Sequence, residues 1–427
     1  MSLAEATLRA PDASAGAVSA PSAHLRFDAD FVRDPYPHYA ALREAGPIHW
    51  TDALFNGAWV VTRHADVDAV LRDPGLSAQR TAGWVKRVDG GDRRSQAELR
   101  AFQHLFSRAM IFLDAPDHTR VRTVLGAGFH PARIRAQAPR VAEIVAARIA
   151  ALGQRPRFDF MAEFARPVPS LVTCMLLGVD AADRQDFIAW SDDLAAFMSA
   201  PWPTLDQARA AQRSLLALKR YFDALLSARR KAPGEDLVSL LLAAEAEGLF
   251  RSDAELVAQC AMLLLAGHET TRNLLGNGLH ALLDHPEQWK ALIDDPALVP
   301  GAVRELLRYD SPVQYTGRRV IADSLVCGQR VRRGELVIAL IGSANRDPDR
   351  YTDPDRLDIR RREPTHLSFG RGAHVCIGAG LALMQAEIAF ASLLEHLPTL
   401  MLAGRAQQNG NAALRGLAAL PVMQAQA

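Results

Sequence analysis

Phe369-Gly370-Arg371-Gly372-Ala373-His374-Val375-Cys376-Ile377-Gly378 sets three glycines around a single cysteine, directly ahead of a helix-patterned apolar run from Leu381 to Leu394. Glycine accepts positive φ and lets the backbone come close to a flat ligand, so such a segment can fold tightly beneath a ring. A cysteine just before a helix N-terminus has its thiolate favoured by the helix dipole and by backbone N–H groups that lack helical partners. The residues alone leave two possibilities open: a glycine-rich turn around a buried thiol, or a sulfur that binds metal. The other cysteines, Cys174, Cys260 and Cys327, are widely separated and lack the paired spacing of zinc sites or disulfide frameworks. They read as small buried hydrophobes in a reducing compartment.

Outward from this loop the chain is rich in helical patterns. Periodicity predicts helices over Pro35 to Ala45, Arg133 to Leu152, Leu205 to Lys231, Asp253 to Leu283 and Pro300 to Tyr309. Alternation predicts strands at Ala58 to Thr62, near Val320 and Val326, and over Val337 to Ile341. Residues 1–25, rich in Ala, Ser and Pro, read as a flexible tail. Residues 26–427 read as one mainly α domain with a small β-rich region, since no repeat or Gly/Ser linker divides them. Apolar residues make up 49% of the 427, enough for a large core. The 49 Lys+Arg nearly cancel the 48 Asp+Glu, leaving +1, so no overall field recruits nucleic acid or an anionic membrane. No secretory signal and no membrane-length apolar run is visible, which makes a soluble, cytoplasmic protein the expectation.

Inside the longest helical pattern, the apolar run Ala261-Met262-Leu263-Leu264-Leu265 gives way to Ala266-Gly267-His268-Glu269-Thr270-Thr271. An acid and two hydroxyls in a buried helix cost free energy unless they are hydrogen-bonded or used. The cluster is therefore either a candidate site or a single turn that faces water. Glu305 and Arg308, three apart on one helix face, form a second pair of note.

The ten-residue cysteine loop resembles the haem-binding loop of the cytochrome P450 family, Phe-Gly-x-Gly-x-His-x-Cys-x-Gly, at every defining position. The resemblance implies a mainly α cytochrome P450 fold of the soluble bacterial type enclosing a b-type haem, iron protoporphyrin IX. It implies Cys376 as the axial iron ligand, Phe369 packed beside the sulfur, Gly370 within the loop under the ring and His374 on a propionate. A thiolate ligand pushes electron density onto iron and favours O–O cleavage. The family also has Ala-Gly-x-Glu/Asp-Thr on its central distal helix. Carried over, Ala266 and Gly267 leave room for dioxygen, Thr270 hydrogen-bonds that oxygen or its water, and Glu269 belongs to a proton relay, with His268 structural or peripheral. Protons must reach a largely dry pocket, which suits an acid and an alcohol side by side. His118 and Arg122, four apart, match further propionate positions, as does Arg318, chosen over Arg319 because it lies five residues before Asp323. Glu305 and Arg308 match a buried structural pair, with Arg356 of Pro354-Asp355-Arg356-Leu357 as its third member, although Leu357 replaces the commoner Phe. The likeness extends from about Asp34 to Pro421 and includes Asn345-Arg346-Asp347-Pro348.

Such a protein is expected to be a monomeric monooxygenase that takes dioxygen and electrons from NAD(P)H through a separate ferredoxin or flavodoxin and its reductase. Peroxide-driven oxygenation and a non-catalytic haem carrier are the alternatives, and the pairing of Glu269 with Thr270 speaks against both. Substrate walls are expected around Thr81 to Met110, Phe187 to Leu205, Met262, Leu265, Val313 to Thr316, Ala413 and Leu414, with a mobile lid near Ser199-Ala200-Pro201. Most are apolar, which suits a lipophilic small molecule, by analogy a polyketide, peptide or terpene secondary metabolite.

Overall fold

Near the start of the chain, helix α1 (Tyr36–Ala45) leads into strands β1 (Ile48–Thr51), β2 (Ala58–Val61) and β3 (Leu76–Ser77). Helices α2 (Asp117–Gly128), α3 (Arg184–Ser199), α4 (Leu205–Lys231), α5 (Asp253–Asp284) and α6 (Val299–Tyr309) carry the chain through its middle, among shorter helices. Strands β4 (Tyr315–Val320) and β5 (Leu336–Leu340) and helix α7 (Ala379–His396) belong to its last third. These elements come from a computed structural model that describes residues 28–425 apart from 56, 82–87, 89–96, 153–154, 201–202 and 364–365. The expected tail at 1–25, much of the Thr81 to Met110 wall and Pro201 of the expected lid fall outside the described residues.

The helices start where their sequences supply caps. Thr204 and Gln207 form a reciprocal capping box at the head of α4, and Arg229, Arg230 and Lys231 sit at the negative end of its dipole. Ser252 caps α5 through the Glu255 N–H at 3.3 Å, with Asp253 and Glu255 in the first turn. Because α5 is apolar on nearly every side, it runs through the interior, packed by α3, α4, α6 and α7. One hydrophobic cluster takes its residues Leu256 to Leu265, and a second takes Leu274 to Leu282. Residues 266–273 belong to neither.

The five-stranded sheet has the order β1-β2-β5-β4-β3, with β2 parallel to β5 and the other pairs antiparallel. Strand β4 therefore lies between β5 and β3, which brings Arg318 beside Ser77 and its neighbours. The helix expected over Arg133 to Leu152 is two helices, Pro131–Ala136 and Ala138–Leu152. Gln137 breaks it by turning its N–H back to Ile134 O at 3.0 Å, a tightened last turn that periodicity cannot reveal.

A buried polar core ties the cysteine loop to α6. Arg308 grips Glu305 with two hydrogen bonds of 2.7 and 2.8 Å and donates to Asn345 O and Pro354 O. Asn345 passes the constraint on, accepting Leu367 N–H at 2.7 Å and donating to Ser368 Oγ at 2.8 Å, just ahead of Phe369. The third charged member is Arg361 rather than Arg356. Arg361 Nε lies 3.1 Å from Glu305 Oε1 with its side chain 6% exposed, whereas the Arg356 side chain is 66% exposed and pairs with Asp358. Only the backbone carbonyl of Arg356 joins the cluster, accepting from Arg308. Nearby, the Arg346 guanidinium stacks between the rings of Tyr36 and Tyr309, 3.9 and 4.0 Å from their centroids. Tyr36 and Arg415 both donate to Asp310, at 2.8 and 2.7 Å.

Losing one partner of a buried ion pair strands the other. In chemical denaturation, Arg361→Ala should cost roughly 3–5 kcal/mol. Arg356→Ala should stay within about 0.5 kcal/mol of the parent, as an exposed pair allows.

Candidate functional site

The cysteine loop is built by its glycines. Gly370 and Gly372 both have φ of 69°, and Cys376 N–H closes the loop onto Phe369 O at 2.8 Å. A side chain at Gly372 would meet Leu71 O at 2.9 Å, so the loop lies flat against the helix His64–Arg72. Gly378 caps α7 and offers its N–H to the Cys376 sulfur. Phe369 packs onto the second hydrophobic cluster, close to the His366 ring. Cys376 itself is exposed. The dipole argument from sequence is outweighed here: burial among protein atoms raises the Cys376 pKa, while the Gly378 N–H and Arg122 lower it only in part. The thiolate needs a cation to form, and a coordinated metal deprotonates such a thiol outright.

Four residues singled out in the sequence converge beside it. The rings of His118 and His374 lie 4.1 Å apart, and Arg318 is buried. Burial, together with Arg122 and Arg318, lowers the His118 pKa. Burial first, then His118, Arg318, Arg80 and Arg122, pushes His374 down to about 3. Both imidazoles are therefore neutral donors. Arg319, by contrast, turns to Gly334 O at 2.7 Å near the surface.

Arg80 is the member that sequence did not reveal. It sits in a segment without helical or strand pattern, and only the folded β3–β4 pairing brings it near Arg318. Burial and then Arg318 push its pKa down to about 9, with Asp114 acting the other way. Among the described residues, Asp114 is the carboxylate that acts on this cluster, held by Ser77 and Ala78 N–H. Arg80, Arg122 and Arg318 thus bring guanidiniums to a place where the two propionates of a haem would find cationic partners, and His118 Nε2, buried without a partner, is a donor for an acceptor. The residues present fit the group.

On α5, Ala266 is exposed although Leu264, Leu265, His268 and Glu269 around it are buried, so it borders an internal space. That space is a cavity of about 200 Å³ lined by Ala266, Glu269 and Thr270. Met262, Leu265, Val313, Thr316, Ala413 and Leu414 also line it, as the sequence suggested. Phe55 and Ile338, from the sheet region, were not anticipated. Gly267 stands elsewhere than expected: a side chain there would lie 3.0 Å from Thr173 Oγ1, so its bareness serves helix packing rather than the cavity. Thr270 Oγ1 donates to Ala266 O at 2.8 Å. Glu269 pairs with Arg272 and accepts weakly from Asn273 at 3.5 Å, with no bond to Thr270. Burial raises its pKa against the opposing pull of Arg272. The Glu269 to Arg272 spacing of three is the sequence signal for this pair.

An exposed sulfur, a cluster of arginines and neutral histidines beside it and an apolar cavity under a polar helix turn fit a protein that seats a porphyrin iron on cysteine. Comparison with known proteins agrees. The family profile described as Cytochrome P450 matches residues 86–419. The chain is 38% identical to the cytochrome P450 monooxygenase PikC of Streptomyces venezuelae, over 92% of each chain. It is similar to the structure of P450BioI in complex with hexadec-9Z-enoic acid ligated acyl carrier protein (TM-score 0.86, 32% identity, 93% of this chain and 100% of that one). It is also similar to the bacillaene polyketide synthase cytochrome P450 PksS of Bacillus subtilis 168 (TM-score 0.83, 33% identity, 94% and 99%). The chain belongs to the cytochrome P450 family, as a haem b monooxygenase. No helix among the described residues is long and apolar enough to cross a membrane.

Arg80→Leu should remove one charge-assisted hydrogen bond to a propionate, worth roughly 1.5–3 kcal/mol. Haem transfer to excess apomyoglobin should then quicken about tenfold or more, while Arg319→Leu leaves it unchanged.

Proposed function

We propose that this chain oxygenates a lipophilic small molecule, a secondary metabolite of polyketide, peptide or terpene type. Cys376 is its iron ligand, and electrons come from a separate ferredoxin or flavodoxin with its NAD(P)H reductase. The bound haem supplies the activation of dioxygen that puts one oxygen atom into the substrate. Everything else is the work of the chain. His118, Arg122, Arg318 and His374, with Arg80, hold the propionates by charge and by neutral N–H donors. Gly370 shapes the loop, and Phe369 packs beside the sulfur. Ala266 keeps space on the distal side.

Thr270 keeps its own proton on Ala266 O, so its oxygen faces the cavity as an acceptor that can orient a water or a substrate hydroxyl. Glu269 Oε2 is buried without a partner and is open to a proton. Burial makes this carboxyl a better base than a surface acid, so it can carry a proton into a dry pocket and give it up there. The apolar lining excludes water and selects for lipophilic matter, and the PksS and P450BioI likenesses support substrates of that character. Residues 26–427 act as one domain in the cytoplasm.

The observation that carries this proposal is the exposed Cys376 beside a cluster of Arg122, Arg318, His118 and His374 that offers the donors two propionates need. The reduced protein with carbon monoxide should show the absorption specific to thiolate ligation, and Cys376→Ala should abolish it. An unaltered spectrum in that variant would overturn the ligand assignment. Substrate class is tested by screening lipophilic libraries for a low-to-high spin shift, followed by product analysis with surrogate redox partners.

A further inference from the structure

We infer that His268 is a proton relay from Asp192 at the protein surface to Glu269 beside the cavity. The inference rests on the proposed role of Glu269 as the acid that serves the cavity. Asp192 lies on α3, with its side chain 42% exposed. His268 and Glu269 are 1% and 3% exposed. One ligand-capable atom of each of the three lies within 4.8 Å of the others, beyond direct hydrogen bonding but within one side-chain rotation or one bridging water.

The buried partners are incompletely satisfied. His268 Nδ1 is 3.4 Å from Ser191 Oγ, while its Nε2 has no hydrogen-bond partner, and neither has Glu269 Oε2. Leaving buried polar atoms unpaired is costly, and such atoms call for a use. Imidazole and two carboxylates also suit a divalent metal. Here Arg272 pairs with Glu269 and lies 3.4 Å from Asp192, so the acids already have their cation, and a second, doubly charged one would be repelled. The cluster is suited to passing single charges.

The charged and polar groups facing His268 are Asp192 and Ser191 from α3, Glu269 and Arg272 from α5, and Arg166 from the turn before helix Pro167–Leu177. Burial, then Arg272 and Arg166, pushes the ring pKa down to about 3, so the resting ring is neutral with one N–H and one open lone pair. In the relay, a proton from bulk water passes along the half-exposed Asp192 carboxylate and forms an N–H bond at His268 Nε2, whose lone pair is open. After rotation of the side chain the same N–H bond breaks towards Glu269 Oε2, which returns the ring to its neutral starting tautomer, and no electrons move.

The test uses the full-length haem-loaded protein with NADH, a surrogate ferredoxin and its reductase, dioxygen and no added substrate. His268→Phe should leave haem content and the carbon monoxide spectrum intact. It should slow reduction of dioxygen to water about tenfold, raise the share lost as hydrogen peroxide and enlarge the solvent deuterium isotope effect. Asp192→Asn, at a half-exposed position that tolerates change, should shift the same quantities in the same direction. Independently of turnover, nitrogen NMR of labelled histidine in the reduced carbon monoxide complex should show a neutral His268 ring from pH 5 to 8. Unchanged partition and isotope effect in both variants, or a protonated ring in that range, would overturn the relay. A missing thiolate spectrum in the parent protein would sink the haem assignment instead, and the NMR result would still decide the state of His268.

Discussion

A sulfur anion set against desolvating protein atoms is stabilised by a cation, and this one constraint organises the structure around Cys376. The protein atoms packed around the thiol raise its pKa, and the Gly378 N–H and Arg122 offset that only partly. A metal must supply the rest. Holding the sulfur bare and still is then a mechanical problem. Two positive-φ glycines shape the loop, and its flat contact with Leu71 O fixes it from one side. From the other side Asn345 links Leu367 and Ser368 to the Glu305, Arg308 and Arg361 cluster. The buried charges stabilise a geometry that the loop's own glycine-rich backbone would not keep, since glycine loses the most freedom on ordering.

The central helix shows how an active surface is placed in an interior without dissolving it. Its first half is anchored in one hydrophobic cluster and its second half in another, and the interval between them is where polar groups face a cavity. The cost of burying Glu269, Arg272 and His268 is met locally by ion pairing and by neutrality rather than by water. Stability at both ends permits incomplete satisfaction in the middle.

Local chemistry was legible in the sequence where the signal is local. The Leu205 to Lys231 helix is found with the predicted bounds because its capping residues and its basic last turn lie within the segment itself. The cysteine loop was legible because its glycines and helix start are contiguous. What could not be read depends on contacts across the chain. Arg356 and Arg361 stand five apart in an irregular meander, and no period says which turns inward. The family pattern pairs Gly267 with Ala266, yet the helical step turns Gly267 towards Thr173. Arg80 reaches its place only through the pairing of β3 with β4, more than two hundred residues apart. The surroundings of His268 depend on α3 covering that side of α5, a long-range contact with no local signal.

The Arg346 sandwich has a consequence for how the molecule is made. It clasps Tyr36 near the start of the described chain to Tyr309, while Asp310 joins Tyr36 to Arg415 near the end. During synthesis the first helix thus waits for almost the whole polypeptide to leave the ribosome before it finds its aromatic and ionic neighbours. Closure of such distant contacts is entropically slow, so this clasp is a late part of the fold to form.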